Sequence, residues 1–139
     1  MSRILAIDHG SKRIGIALSD PLRIFAKPFA TLPNSGFKKF VTRLKEIIAE
    51  QDVSLIVLGM PWAIDGSKTP KTLEVEAFGL KLKKYIDTEL VFWDERYSSS
   101  EADEALKTMG LSWEEGKSAR DAMAATMILK SYLENHESN

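Results

Sequence analysis

The fold is limited most strongly by six residues near the middle of the chain, residues 54–59, which read SLIVLG. Every position between the serine and the glycine is apolar, with no alternation of apolar and polar side chains. This pattern is typical of a strand that is buried on both faces, and such strands occur mainly in parallel sheets covered by helices on both sides. The run therefore predicts an α/β protein.

Apolar residues recur at helical spacing on both sides of this run, which predicts one amphipathic helix before it and another after it. The first set is Phe37, Phe40, Val41, Leu44, Ile47 and Ile48, and the second set is Val75, Phe78, Leu82, Tyr85 and Ile86. Another apolar strand, residues 90–93, follows the second helix. Alternating strands and helices predict parallel pairing of these two strands.

The amino-terminal part reads as three antiparallel strands. Residues 4–7 and 14–18 are apolar runs joined by a turn that Gly10 and Gly15 bracket, and residues 23–32 can return as a third strand after a turn at Asp20. The chain thus predicts a mixed five-stranded sheet, three antiparallel strands then two parallel, with helices on both faces.

Two helices are expected after the sheet. A Ser-x-x-Glu capping box at residues 98–101 predicts the start of one helix. Residues 111–117 read as a polar connection, and Ser118 is expected to begin the last helix.

Length and composition limit the class of protein. A chain of 139 residues is expected to form one domain, residues 1–139. It contains no cysteine, which excludes thiol nucleophiles, disulfides and cysteine zinc sites. With no signal-peptide pattern and no apolar run that could span a membrane, a cytoplasmic protein with no membrane partner is expected. The net charge is −1, so nucleic-acid binding would require a local basic patch.

Acidic residues stand where predicted strands end, the edge at which sites of α/β sheets gather. Asp8 follows the first strand, and Asp94 and Glu95 follow the fifth. Strand alternation lets only one of those two neighbours face Asp8 easily. Asp121 lies on an apolar helical stripe and is expected to point inward. The alternative for Asp121 is a capping arrangement with Ser118 in the first turn of a helix.

Three carboxylates that converge on one point repel one another unless cations neutralise them. Mg²⁺ and Mn²⁺ prefer oxygen ligands, and a few carboxylates together with a substrate phosphate are sufficient to bind them. Two such ions can activate a water molecule and stabilise the leaving oxygen of a phosphodiester. Asp8, one of Asp94 and Glu95, and Asp121 therefore predict a two-metal nuclease site.

Cationic residues flank each of these acids and are candidates for binding substrate phosphates. They are Lys12, Arg13, Arg96, Lys117 and Arg120. Ordinary charge balancing is the alternative. Trp62, in a predicted loop, could stack on an unpaired base. The alternative for Trp62 is a side chain that folds over apolar surface.

Four segments of the chain resemble motifs of the YqgF family of RuvX-like nucleases. They are residues 8–15 (DHGSKRIG), Gly59-Met60-Pro61 with Asp65-Gly66, Asp94-Glu95-Arg96, and residues 117–125. The resemblance spans nearly the whole chain in the right order. It implies a ribonuclease H-like fold in which Asp8, Glu95 and Asp121 bind the metal.

The resemblance also implies a nuclease that processes the 5′ end of pre-16S ribosomal RNA, with structured RNA as its partner. Holliday junction resolution on branched DNA is the alternative, and a resolvase would need two sites and hence a homodimer rather than a monomer. The loop after Asp8 also resembles the first phosphate loop of the sugar kinase, actin and heat-shock ATPase superfamily. A nucleotide-phosphate-binding domain and a non-catalytic RNA-binding or ribosome-assembly factor therefore stay open as further alternatives.

Overall fold

A mixed sheet of five strands forms the centre of the computed structural model, which describes residues 2–95 and 113–136, with side chains for 2–95 and 121–135. The strands are β1 (Arg3–His9), β2 (Arg13–Ser19), β3 (Ala26–Pro33), β4 (Val53–Met60) and β5 (Glu89–Asp94). Their spatial order is β3-β2-β1-β4-β5. The first three strands pair antiparallel, and β4 pairs parallel with both β1 and β5. The predicted sheet is confirmed.

Helices cover both faces of this sheet. Helices α1 (Phe37–Glu50) and α2 (Pro70–Tyr85) pack on one face, and α3 (Trp113–His136) packs on the other. Leu5 and Ile7 of β1 face α1 and α2, whereas Ile4 and Ala6 face α3. Because side chains alternate along a strand, β1 delivers Asp8 to the face that α3 covers.

The central strand β4 explains the continuous apolar run. Ile56 and Leu58 are buried against α1 and α2, while Leu55 and Val57 are buried against α3. Every residue in this part of the strand therefore excludes water on one face or the other, as the sequence predicts.

The third strand begins at Ala26, so the prediction that it begins at residue 23 is wrong. The side chain of Asp20 explains the delay, because its Oδ1 accepts hydrogen bonds from the backbone N–H groups of Ile24 and Phe25, at 2.8 and 2.7 Å. Arg23 within this turn has a positive φ of 59°. A carboxylate that binds several backbone donors holds the chain in a turn that a strand cannot adopt.

The last helix begins at Trp113, so the prediction that residues 111–117 form a connection and that Ser118 begins the helix is wrong. The sequence from Trp113 to residue 117 has no apolar stripe, which is why periodicity did not indicate a helix there. Asp121 consequently lies about two turns inside α3. The capping interpretation of Asp121 therefore fails, because a cap and the helix dipole act within the first turn.

Several predictions lie outside the described residues. They concern the helix from the capping box at residues 98–101 and the side chains of Arg96, Lys117 and Arg120. Within the described part of the chain, no helix combines the length and the apolar composition needed to cross a lipid bilayer.

Candidate active site

Two of the predicted acids meet at the carboxyl edge of the sheet. Asp8 lies near the end of β1, Glu95 directly follows β5, and their side chains share a hydrogen bond. Val91 and Trp93 of β5 pack against the α3 side, and Glu95 continues this alternation toward Asp8. The structure therefore brings Glu95 to Asp8 in the way that strand alternation predicts.

Gly59, near the end of β4, leaves the space that Glu95 occupies. A Cβ atom at this position would lie 2.6 Å from Oε2 of Glu95 and would also overlap the side chain of Ile128. A larger residue would therefore push either Glu95 or α3 away from the sheet. The sequence indicated Gly59 only as part of a motif, because this clearance depends on three separate elements.

Gly15 brings α3 close to the sheet beside Asp8. It is paired with Asp8 across the β1–β2 ladder, and a Cβ atom there would overlap the backbone of Asp121 and lie 2.9 Å from the backbone nitrogen of Ala122. The prediction that Gly15 borders the turn is wrong, because it lies inside β2. Its lack of a side chain instead allows Asp121 to approach the site.

The carboxylate of Asp121 is bonded to Arg13. Nε of Arg13 donates to Oδ2 of Asp121 at 2.8 Å, and both side chains are partly exposed. Among the described residues, no three acidic or histidine side chains are grouped so that they could hold one metal ion. The structure thus pairs Asp8 with Glu95 and holds Asp121 beside them through Arg13.

The Asp8–Glu95 pair holds protons more tightly than isolated carboxyl groups do. Burial raises the pKa of Asp8 to about 6, and the negative charge of Asp121 adds to the rise. Burial raises the pKa of Glu95 to about 8, and the charge of Asp8 adds to it. Near neutral pH the pair therefore shares a proton.

Lys71, in the first turn of α2, is a cation near the site that the sequence did not indicate. Its Nζ lies 3.4 Å from Nδ1 of His9 and 3.1 Å from Oε2 of Glu74. Its charge lowers the pKa of both Asp8 and Glu95, although less than burial raises it. The signal in the sequence was the position of Lys71 at the start of α2, because the helix that follows β4 starts at the sheet edge where β1 and β4 end.

The predicted cation Lys12 is exposed in the short loop between β1 and β2. Asn34 holds this loop from the end of β3. Its backbone N–H donates to the carbonyl of Lys12, and its side-chain amide donates to the carbonyl of Gly10, both at 2.9 Å. These bonds hold the backbone of Lys12 in the turn that follows β1.

Trp62 lies in the loop after β4, partly buried against the apolar cluster under α1 and α2. Nζ of Lys68 lies 5.8 Å from the centre of its ring. This packing agrees with a side chain that covers apolar surface, and base stacking by Trp62 stays a prediction.

Comparison with known families matches residues 2–135 to the family described as "RuvX: Holliday junction resolvase". Three similar proteins, from Lachnospira eligens, Syntrophomonas wolfei and Endomicrobium trichonymphae, each carry the name "Putative pre-16S rRNA nuclease". They are 37%, 40% and 40% identical to this chain. The matches cover 97%, 95% and 96% of this chain and 99%, 94% and 96% of the relatives.

Two solved structures have a similar fold. RuvC of T. thermophilus in complex with Holliday junction substrate has a TM-score of 0.58 and 9% identity, and the match covers 97% of this chain and 96% of that chain. The Fowlpox virus resolvase with Holliday junction DNA has a TM-score of 0.58 and 13% identity, with 96% and 97% covered. At such low identity the likeness concerns the fold alone, which is ribonuclease H-like as predicted.

Proposed function

The chain belongs to the RuvX family, described as Holliday junction resolvases, and is a nuclease; from this premise we propose that its activity depends on a divalent metal held at Asp8 and Glu95. The observation that carries the proposal is the hydrogen-bonded pair of carboxyl groups. Burial raises both of their pKa values, and the charge of Asp121 adds to the rise at Asp8 as that of Asp8 does at Glu95. Two carboxyl groups that share a proton at a sheet edge can instead share a cation.

The donor set fits Mg²⁺ or Mn²⁺. Asp8, Glu95 and Asp121 offer carboxylate oxygens, which these ions prefer over nitrogen and sulfur. When bound, a divalent cation activates the attacking water and stabilises the charge on the leaving oxygen. Asp8 and Glu95 would hold it after releasing their shared proton. Asp121 is held by Arg13, and its role as a third ligand stays a prediction. The two-ion arrangement expected from the sequence stays a prediction.

The cations of the site are proposed to hold the substrate phosphate. Arg13 uses Nε to hold Asp121, which leaves its terminal NH₂ groups as donors toward a phosphate oxygen. Lys71, whose charge acts on Asp8, and the exposed Lys12 of the β1–β2 turn would add positive charge. These groups would stabilise the negative charge of the scissile phosphate and set its position relative to the two acids.

The proposed substrate is precursor 16S ribosomal RNA, because the relatives that match over nearly their whole length are named as nucleases of it. Cutting toward its 5′ end stays a prediction. A second candidate is the Holliday junction. The description of the family and the likeness to junction-bound resolvases of the same fold favour it. The cytoplasmic location and the monomer or homodimer state stay predictions.

Cleavage of two matched substrates tests the proposal. Wild-type protein, Asp8→Asn and a control variant, Asp87→Asn at an exposed loop position, are incubated with an RNA bearing a 5′ precursor extension and with a four-way DNA junction. We expect Mg²⁺- or Mn²⁺-dependent cleavage of the RNA by the wild type and the control, and none by Asp8→Asn.

The other outcomes separate the alternatives. Preferential cleavage of the junction would favour the resolvase function. RNA that is bound but never cut would favour a non-catalytic assembly factor, and undiminished cleavage in excess EDTA would refute metal dependence. Thermal stabilisation by a nucleotide, without cleavage of either nucleic acid, would favour the nucleotide-phosphate-binding domain.

A further inference from the structure

A groove of about 620 Å³ lies between α1 and α2, on the face of the sheet opposite α3. Lys38 and Lys45 of α1 and Lys81 of α2 line it, together with the aromatic rings of Phe37 and Tyr85. No acidic residue of the described chain lines this groove. It is therefore a basic, partly aromatic surface on a protein whose net charge is −1.

Some cations of α1, α2 and the loop before α2 are paired with glutamates, whereas others, the groove lysines among them, are not. Arg43, Lys68 and Lys71 each lie within 4.0 Å of a glutamate carboxylate. Within the described residues, Lys38, Lys45 and Lys81 form no such ion pair. Their positive charge is not neutralised by the protein, which favours an anionic occupant.

The aromatic side chains connect the groove with the catalytic edge. Tyr85 is 53% exposed, and its ring lies 5.3 Å from that of Phe37. Phe37 contacts Phe78 at 6.1 Å, and Phe78 packs on His9, the neighbour of Asp8, at 4.3 Å between ring centres. A row of aromatic rings therefore leads from the groove to His9, at the edge of the sheet where the two acids lie.

We propose that this groove binds a single-stranded segment of the RNA substrate away from the cleaved bond. The proposal rests on the proposed nuclease function. Lys38 and Lys45 are two helical turns apart, about 10 Å along α1, so both can contact phosphates of one strand. The exposed ring of Tyr85 offers a base a stacking surface. An acidic peptide would match the lysines but has no bases to stack on this ring.

Binding measured in EDTA, where cleavage does not interfere, tests the groove. The probe is an RNA hairpin with a single-stranded 5′ extension, titrated at several salt concentrations. Lys38→Gln/Lys45→Gln is compared with Lys27→Gln/Lys130→Gln, which removes the same charge from exposed positions on β3 and α3. We expect only the groove variant to reduce the slope of log affinity against log salt, by about 1.4, since each single-strand phosphate contact contributes about 0.7.

Stacking is tested separately with Tyr85→Ala. We expect roughly tenfold weaker binding of the hairpin with the extension and no change for a blunt hairpin, because only an unpaired base can stack on the ring. Melting curves of the variant check that its fold is intact. Crosslinking of 4-thiouridine RNA to residues of the groove gives an independent measurement of RNA contact in the wild-type chain.

Equal salt slopes for the two double variants, together with no crosslink in the groove, would overturn the proposal while leaving metal-dependent cleavage untouched. The proposal would also be overturned if the wild type bound a polyglutamate peptide, the groove variant lost that binding, and both bound RNA equally. That result would identify an acidic protein partner. Failure of the nuclease function would look different: the wild type would not cleave, yet the groove variant would still bind RNA more weakly.

Discussion

Without metal, the protein is expected to lose stability as the pH rises, and Glu95→Gln is expected to remove most of this loss. The raised pKa values of Asp8 and Glu95 mean that the folded chain binds their protons more tightly than the unfolded chain does. The free energy of unfolding therefore falls with increasing pH between the unfolded and the folded pKa values. The decline starts near pH 4 and continues to about pH 8.

The magnitude follows from the pKa values. A rise of the pKa of Asp8 from 3.8 to about 6 corresponds to about 3 kcal/mol, and a rise of that of Glu95 from 4.5 to about 8 to about 5 kcal/mol. Between about pH 5 and pH 8.5 both carboxyl groups contribute, Asp8 up to about pH 6 and Glu95 up to about pH 8. We therefore expect a loss of about 5 kcal/mol over this range, or roughly 15 °C in melting temperature for a chain of this size.

The assay is thermal and urea unfolding in excess EDTA between about pH 5 and pH 8.5. Wild type and Glu95→Gln should differ little at the acidic end and diverge as the pH rises, with the variant more stable because one ionisable partner is gone. Glu89→Gln, an exposed change on β5, should follow the wild-type curve. Parallel curves for wild type and Glu95→Gln would refute the claim that ionisation of this pair destabilises the fold.

Further predictions concern metal, catalysis and the neighbouring acids. Mg²⁺ or Mn²⁺ should raise the melting temperature of the wild type more at alkaline than at acidic pH, because protons compete for the same oxygens; an equal rise in Asp8→Asn would contradict this site. Asp8→Asn should abolish cleavage while RNA affinity in EDTA stays near that of the wild type, which a binding titration beside the cleavage assay measures. Glu95→Gln should abolish metal-dependent turnover and Asp94→Asn should retain most of it, and the opposite ranking would assign the second ligand to Asp94. Arg13→Gln should destabilise the fold by at most about 1 kcal/mol, because its ion pair with Asp121 is partly exposed, but should clearly lower the cleavage rate; full activity would exclude Arg13 from the site.

The sequence predicted those features of the site that depend on local patterns. The alternation of β5 indicated that only one of Asp94 and Glu95 turns toward Asp8, because side chains of a strand alternate between faces whatever lies around it. The resemblance of Asp94-Glu95-Arg96 to a family motif then indicated Glu95. The continuous apolar run of β4 likewise indicated a central parallel strand. A resemblance distributed along the chain suggested the third acid, Asp121, which the local pattern at Ser118 had left open as a cap.

Features that depend on distances across the fold were decided only by the tertiary structure. Gly15 and Gly59 look like ordinary turn or motif glycines, yet each clears space for an atom from another element, Asp121 in one case and Glu95 in the other. Lys71 acts on the acids because the start of α2 meets the ends of β1 and β4 at one edge of the sheet. Hydrophobic periodicity encodes which face a side chain takes, because that depends on backbone geometry over a few residues. The order of strands and the approach of α3 depend on how whole elements pack together, so the pairing of Arg13 with Asp121 became visible only in the folded chain.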